Sequence, residues 1–455
     1  MPRTRASAPG VVPSPAGPDA RRARRSSDQG SPATPACSAV DQVAAVLDGC
    51  HLRSVLQPVV DLRSNDVVAH GALLRGPAGS ELASPLALME AARAAGRAAE
   101  LDVAALRTHL EHAEQTMPGL DPILFVNLEP ATLTAALGQV LEVLADRPEG
   151  QRVVVEFTER ALTTDPAAVI EATERIRALG CAIALDDVGA EPASLAFVPL
   201  LRPEVVKLDL GLLRTVDDPA TITVAHAVRA YAEEFGREVV AEGVEVREDR
   251  TRAVVLGATL GQGWYWGYPS AEPHQPAHGF ERIYVSRPRE TRAPRTPFDL
   301  LRPSETQAGP KDLLRSVSRG LELAALQSRV RPVLLSSFQD VRNFGRPTQR
   351  RYEKLAGELP LVGVVGHRMP DSPAPGVRGA ALRGGDPLGE EWTVVVLGPH
   401  EAVALIARIR PESDRQESCG AEAGDVWFDF AVTHDRARVT AAALLLLERL
   451  GARAS

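Results

Sequence analysis

Between Val55 and Trp266 eight short β-rich runs alternate with amphipathic helical stretches, and that alternation leaves few architectures open. The predicted strands are Val55–Leu62, Val67–Leu74, Ile123–Leu128, Val153–Phe157, Ala182–Asp187, Val205–Leu210, Glu238–Val244 and a last short one near Leu260–Trp266. Helical patterning covers Pro85–Gln115, Thr132–Asp146, Ala167–Leu179 and Thr221–Phe235. Eight strands in this order, over a segment close to the usual ~250 residues, predict an α/β fold of the (β/α)8 TIM-barrel type. A doubly wound open sheet has the same alternation and is the alternative. Only Arg63-Ser64-Asn65-Asp66 separates the first two strands. That is a hairpin connection, so the first strand is expected to run antiparallel to the rest.

The remaining chain divides by composition. Residues 1–40 are rich in Pro, Ser, Ala and Arg and are expected to form a disordered tail, followed by the barrel at 41–275. A Pro-, Arg- and Thr-rich stretch at 276–306 is expected to be a linker, and 307–455 a smaller α/β domain. Strands are predicted there at Leu361–Val365, Trp392–Leu397, Val403–Ile409 and Val426–Val432, with a closing helix at Ala437–Leu450. Trp427, Phe428 and Phe430 are expected to pack a core. Net charge is −8 with the two signs interspersed, which excludes a basic surface for duplex nucleic acid. Cys37, Cys50, Cys181 and Cys419 are scattered without a CxxC pair, which excludes a zinc framework and fits a reducing cytoplasm. No apolar run reaches the ~18 residues of a membrane span.

Side chains alternate along a strand, so each barrel strand sends one set inward. In the fifth strand Ala182, Ala184 and Asp186 share a face; in the fourth, Val154 and Glu156; in the third, Ile123, Phe125 and Asn127. The sixth groups Val205, Lys207 and Asp209, and the seventh Val240 with Glu242. A carboxylate ending one strand is commonly a helix cap or a loop ion pair. Five successive strands ending in polar groups on one face instead place them all at one barrel mouth, where this fold carries its sites. Asn127, Glu156, Asp186 and Asp187 are hard oxygen donors suited to Mg²⁺ or Mn²⁺, and the adjacent Asp186-Asp187 pair repels itself unless a cation intervenes. Lys207 adds a cation able to hold a phosphate, and such a site suits phosphodiester hydrolysis.

Together these motifs resemble the EAL-domain cyclic-di-GMP phosphodiesterases. The resemblance spans Leu56 to Pro269 through Gln57-Pro58, Ala72-Leu73-Leu74-Arg75, Asn127, Glu156-Phe157-Thr158-Glu159, Asp186-Asp187-Val188-Gly189, Lys207-Leu208-Asp209, Ala241-Glu242-Gly243-Val244-Glu245 and Gln262-Gly263-Trp264. It implies that Asn127, Glu156 and Asp186 are first-metal ligands, with Asp187 leaning toward a second metal. It further implies that Lys207 steadies the attacking water and Glu242 is a general base or second-metal carboxylate. Glu245 would brace the loop after the fifth strand, and Gln57, Arg75 and Gln262 would contact the ligand, Arg75 at a phosphate.

Two positions depart from that pattern. Gly71 stands where the family has its namesake glutamate, a metal ligand, in His70-Gly71-Ala72-Leu73. By alternation His70 points away from the face of Gly71 and is not expected to substitute for it. The loop after the fifth strand is Gly189-Ala190-Glu191-Pro192-Ala193-Ser194 instead of a glycine-threonine-glycine-tyrosine pattern. The C-terminal part resembles the DICT sensory domain through Ser337-Phe338-Gln339-Asp340, Thr348-Gln349-Arg350-Arg351-Tyr352, Pro375-Gly376-Val377-Arg378-Gly379 and Trp392–Gly398. Gly384-Gly385-Asp386 looks like a diguanylate cyclase signature but continues with Pro387, so a turn is expected; His434-Asp435 lacks partner histidines at metal-site spacing. The expected function is cyclic-di-GMP hydrolysis to pGpG with Mg or Mn at a weakened site. A catalytically inactive cyclic-di-GMP receptor or scaffold is the alternative. A homodimer, an unknown protein partner and a cytoplasmic location complete the expectation.

Overall fold

The computed structural model describes residues 39–49, 51–158, 165–189, 192–215, 217–274, 283, 294–410 and 426–451. The expected tail apart from its last two residues, Cys37, Cys50, Cys419, Glu159, the loop residues Ala190 and Glu191, and 276–293 apart from Ile283 lie outside the described residues.

Eight strands close a barrel in sequence order: β1 (Arg53–Asp61), β2 (Val67–Arg75), β3 (Ile123–Asn127), β4 (Arg152–Thr158), β5 (Ala182–Val188), β6 (Val205–Leu208), β7 (Glu238–Ala241) and β8 (Leu260–Gln262). The closed ring excludes the open-sheet alternative. As the short hairpin requires, β1 is antiparallel to both β2 and β8, while β2 through β8 are parallel. Phe125, Val154, Ala184, Val205 and Val240 fill the interior, while Leu124, Val126, Val155, Ile183 and Val206 pack under the helices. Both sets are buried, each side chain contributing about 1.5–3 kcal/mol for the larger aliphatics and Phe. A one-residue slip of any strand would exchange them, so the polar residue ending each strand is held in register by the core.

The second domain is a seven-stranded mixed sheet in the order β12-β11-β10-β13-β14-β15-β9. Its strands are β9 (Gln307–Pro310), β10 (Val333–Asp340), β11 (Val362–His367), β12 (Arg378–Ala381), β13 (Glu391–Leu397), β14 (Ala402–Ile409) and β15 (Trp427–Thr433). The four predicted strands are present as β11, β13, β14 and β15; β9, β10 and β12 are additional. Phe428 is buried, and its ring meets Trp392 at 5.9 Å. The segment just before β9 is ordered against the sheet. The Phe298 N–H donates to the Glu391 carboxylate at 3.1 Å, and Arg408 lies 4.3 Å from the Phe298 ring centroid while pairing with Glu391 at 2.7 Å.

Asp386 accepts from the Leu388 N–H and pairs with Arg449, so Gly384-Gly385-Asp386 is a turn that anchors the C-terminal helix. Asp435 accepts from the Arg438 N–H at the start of that helix, Arg436–Gly451. The helix packs against Pro166–Ala178 and Val198–Leu201 of the barrel, and Arg436 pairs with Glu234 at 3.6 Å. The described residues between 39 and 451 therefore form one compact unit. Among the described residues no helix is long and apolar enough to cross a membrane.

Candidate functional site

The strand ends converge on a cavity of about 370 Å³ at the barrel mouth, whose lining includes Gln57, Gly71, Asn127, Glu156, Asp186, Lys207, Glu242, Glu245 and Gln262. Parallel pairing sets the neighbours: Asn127 lies beside Glu156 on β3 and β4, and Thr158 beside Asp186 on β4 and β5.

Lys207 is the centre of charge. Its Nζ lies 2.7 Å from Glu156, 3.2 Å from Asp186 and 2.5 Å from Glu242, and the side chain is 4% exposed. Burial by itself would lower an ammonium pKa, but Glu156, Glu242 and Asp186 outweigh it and hold Lys207 well above the ordinary lysine range. Burial pushes Glu156 up to about 7 and Glu242 up to about 8, with Lys207 pulling both the other way and Asp186 adding to the rise. This is a proton-holding, charge-dense site in a low-dielectric wall.

Asp186, Asp187 and Glu242 each offer an oxygen, and these atoms lie within 4.8 Å of one another. Three hard donors at that spacing fit a divalent cation. Asp187 adopts φ 57°, the left-handed region that an aspartate tolerates better than most side chains, and its N–H donates to the Asp186 carboxylate at 3.0 Å. Such strain at a strand end is found where a site dictates backbone geometry.

Gly71 faces the mouth. A Cβ there would sit 2.4 Å from Gln262 Nε2, so the Gln262 amide occupies the volume a side chain at 71 would take. Gln57 on β1 lies between them: it is the register partner of Gly71, Gln262 Nε2 donates to its Oε1 at 3.2 Å, and its own Nε2 donates to the Gly267 carbonyl. Gln262 Oε1 is buried without a hydrogen-bond partner. His70 is turned the other way and fully buried. Its Nε2 meets the His274 carbonyl at 2.8 Å, and burial lowers its pKa to about 4, so it is a neutral structural residue. Gly263 has a separate reason to be glycine: a Cβ would come within 2.1 Å of the Val244 carbonyl oxygen.

Arg75 ends β2 outside the cavity lining, with its guanidinium donating to the Leu74 carbonyl. Glu245 lines the mouth and pairs with Arg214 at 3.4 Å; Ala190 and Glu191, of the loop it was expected to brace, are outside the described residues. Among the lining residues that sequence reasoning gave no role, Asp209 and Trp264 carry polar or aromatic groups. Asp209 caps the helix Leu210–Arg214 by accepting from Gly211 N–H at 2.6 Å. Trp264 is 54% exposed and lies 5.3 Å from the Tyr268 ring. The aromatic run after Gln262-Gly263 was the available signal for it.

Asp102, on the helix Ala98–Thr116, fixes the turn that follows Asn127: it accepts from Glu129 N–H at 2.8 Å and from Thr132 Oγ1 at 2.6 Å. Burial raises its pKa from 3.8 to about 6 against those two hydrogen bonds. An acid raised in the folded state gives stability that is full below its unfolded pKa and lost as pH rises through its folded one. Asp102→Asn should therefore gain stability relative to the parent between about pH 4 and pH 7, by up to about 3 kcal/mol. Urea unfolding of both chains across that range measures it, and parallel pH profiles would contradict the assignment.

The family model described as "EAL domain" matches residues 41–269, just over half of the chain, and the model "Sensory domain in DIguanylate Cyclases and Two-component system" matches 296–410. Cyclic di-GMP phosphodiesterase RocR of Pseudomonas aeruginosa is 35% identical over 123 residues, covering 27% of this chain and 31% of its own. Cyclic di-GMP phosphodiesterase PdeF of Escherichia coli is 26% identical over 240 residues, covering 50% of this chain and 31% of its own. The chain thus spans about a third of the length of these curated relatives. The Klebsiella pneumoniae BlrP1 calcium/cyclic-di-GMP complex aligns over 50% of this chain and 57% of its own at 28% identity, with a TM-score of 0.43.

Proposed function

The chain belongs to the EAL-domain family, and from that premise we propose that it is a cyclic-di-GMP signalling protein whose barrel mouth binds cyclic di-GMP and hydrolyses it slowly to linear pGpG. The observation that carries this reading is the buried Lys207 held by Glu156, Asp186 and Glu242, beside the Asp186, Asp187 and Glu242 oxygens. A divalent cation, magnesium or manganese, held by those carboxylates with Asn127 and Glu156 would supply Lewis acidity and balance charge at the attacked phosphate. Lys207, kept charged by its three partners, orients the water on the phosphate, and Glu242 serves as the general base for that water or as a carboxylate ligand of a second cation. Gln262 and Gln57 present an amide edge to the base, and Arg75 swings from the Leu74 carbonyl to a phosphate oxygen. Glu245, which pairs with Arg214, braces the loop after the fifth strand. The proposed assembly is a homodimer in the cytoplasm, passing its state to a protein partner.

Slow turnover follows from Gly71, which offers no ligand. Changes even outside the inner ligand set cost roughly 10–100-fold in metal affinity or activity. The same position favours a second reading, a receptor that binds without cleaving, because the Gln262–Gln57 contacts need no cation. The deciding experiment incubates the purified chain with cyclic di-GMP and excess Mn²⁺ and follows pGpG. Product that falls at least about 100-fold in Glu156→Ala establishes the enzyme. Saturable binding in EDTA with no product at any Mn²⁺ concentration establishes the receptor, and neither binding nor product rejects both.

A further inference from the structure

A cavity larger than the barrel mouth lies elsewhere in the chain. A cleft of about 770 Å³ opens between the two domains, walled by Leu195, Ala220 and Val224 of the barrel and by Val330, Leu359 and Pro360 of the second domain. Its apolar walls end in a cationic rim. Arg329 is exposed at the cleft, and Arg331 is anchored by the Leu326 carbonyl and by Glu358 at 3.5 Å. Apolar walls with a few convergent polar groups at a domain boundary are the usual composition of a small-molecule site. Two guanidiniums against one carboxylate leave the rim net positive, and guanidinium favours planar anionic groups.

We propose that this cleft binds an amphipathic anion, an apolar body carrying one carboxylate, sulfonate or phosphate, and that its occupancy is felt at the barrel mouth. The chain itself provides the connection. Leu195 belongs to the turn Pro192–Phe197, a few residues beyond β5, whose end carries Asp186 and Asp187. The turn runs directly into Val198–Leu201, which touches the C-terminal helix. The seam is therefore tightly packed at that helix and open at the cleft. At the packed end a Cβ on Gly451 would lie 2.4 Å from the Ala167 Cβ. A ligand filling the open end bears on the one barrel segment continuous with the paired aspartates. By linkage, a ligand that favours one position of that segment changes the affinity of the mouth, and the mouth's ligand changes the cleft's affinity by the same factor.

The test uses the full chain and two probes, 1-anilinonaphthalene-8-sulfonate for fluorescence and decanoate as competitor. Ala220→Trp fills the cleft from an exposed helical position, and Arg329→Glu reverses the rim charge without touching the core. Saturable dye fluorescence that decanoate displaces is expected, weakened about tenfold or more by each substitution, the cost of a lost charge-assisted hydrogen bond or a blocked site. Dye binding that neither variant alters overturns the site. The coupling rests on the cyclic-di-GMP reading of the mouth and has its own arm: saturating decanoate should change cyclic-di-GMP affinity at least about fivefold in the parent chain and not in Ala220→Trp. An unchanged affinity overturns the coupling. A chain that binds no cyclic di-GMP at all rejects the reading of the mouth, while the dye arm still decides the cleft.

Discussion

Gly71→Glu is expected to raise kcat for cyclic-di-GMP hydrolysis in Mn²⁺ by at least about tenfold and, at the same time, to raise KM by about tenfold. The gain follows from one more oxygen ligand at a site that already offers Asp186, Asp187 and Glu242. The loss follows from space. Any side chain at 71 starts 2.4 Å from Gln262 Nε2, so the amide has to leave and its bond to Gln57 breaks. The displaced amide no longer presents its edge to the ligand, and a lost hydrogen bond to a ligand costs on the order of 1–3 kcal/mol, which is the KM effect. The displacement is affordable for the fold because what moves is the end of a flexible side chain, not backbone. Steady-state kinetics with calorimetric titration in EDTA separate the two. A kcat gain with unchanged KM and unchanged metal-free affinity would show that Gln262 neither moves nor contacts the ligand.

The second large effect is on stability. Lys207→Met removes the ammonium from three carboxylates, of which Glu156 is buried and Asp186 nearly so, and is expected to cost about 3–5 kcal/mol in EDTA. The loss arises less from the missing attraction than from the charges left without a partner. A divalent cation can take that place, so Mn²⁺ should restore much of the variant's Tm while moving the parent's far less. Equal Mn²⁺ responses in the two chains would mean that the carboxylates are not the cation's ligands. Glu156→Gln in the Lys207→Met background should also recover stability, since it removes one of the unpaired charges.

Most of the barrel was legible because its strands are near-continuous, β-branched apolar runs that recur between amphipathic helical stretches and end in polar residues. The two-residue side-chain period of a strand turned Gly71 to the mouth and His70 away from it. What the sequence could not display is the neighbour of Gly71. Gln262 is 191 positions later in the numbering (262 − 71) and reaches position 71 only because β8 pairs with β1 and β1 with β2. In the second domain β9 and β12 escaped prediction for local reasons: each has four residues, the first ends in Pro310 and the second contains Gly379, so pairing partners and not propensity make them strands. The helix Lys311–Gln327 was obscured because its inward face includes Ser318 and Glu322, a buried acid tied to Arg351. A polar residue buried by a distant partner reads as surface until that partner is known.

The antiparallel first strand also has a consequence for the order of events during synthesis. β1 meets β2 across the five residues 62–66 and can form a hairpin as soon as Arg75 has been made. Its other edge is reserved for β8, which does not exist until Gln262 has been added. Through the intervening elongation the nascent chain presents an unpaired edge of Val59, Val60 and Asp61. Exposed edges of this kind recruit strands from other chains. Slow translation through the middle of the barrel should therefore lengthen the period in which this protein needs a chaperone, and the requirement should end when β8 closes the ring.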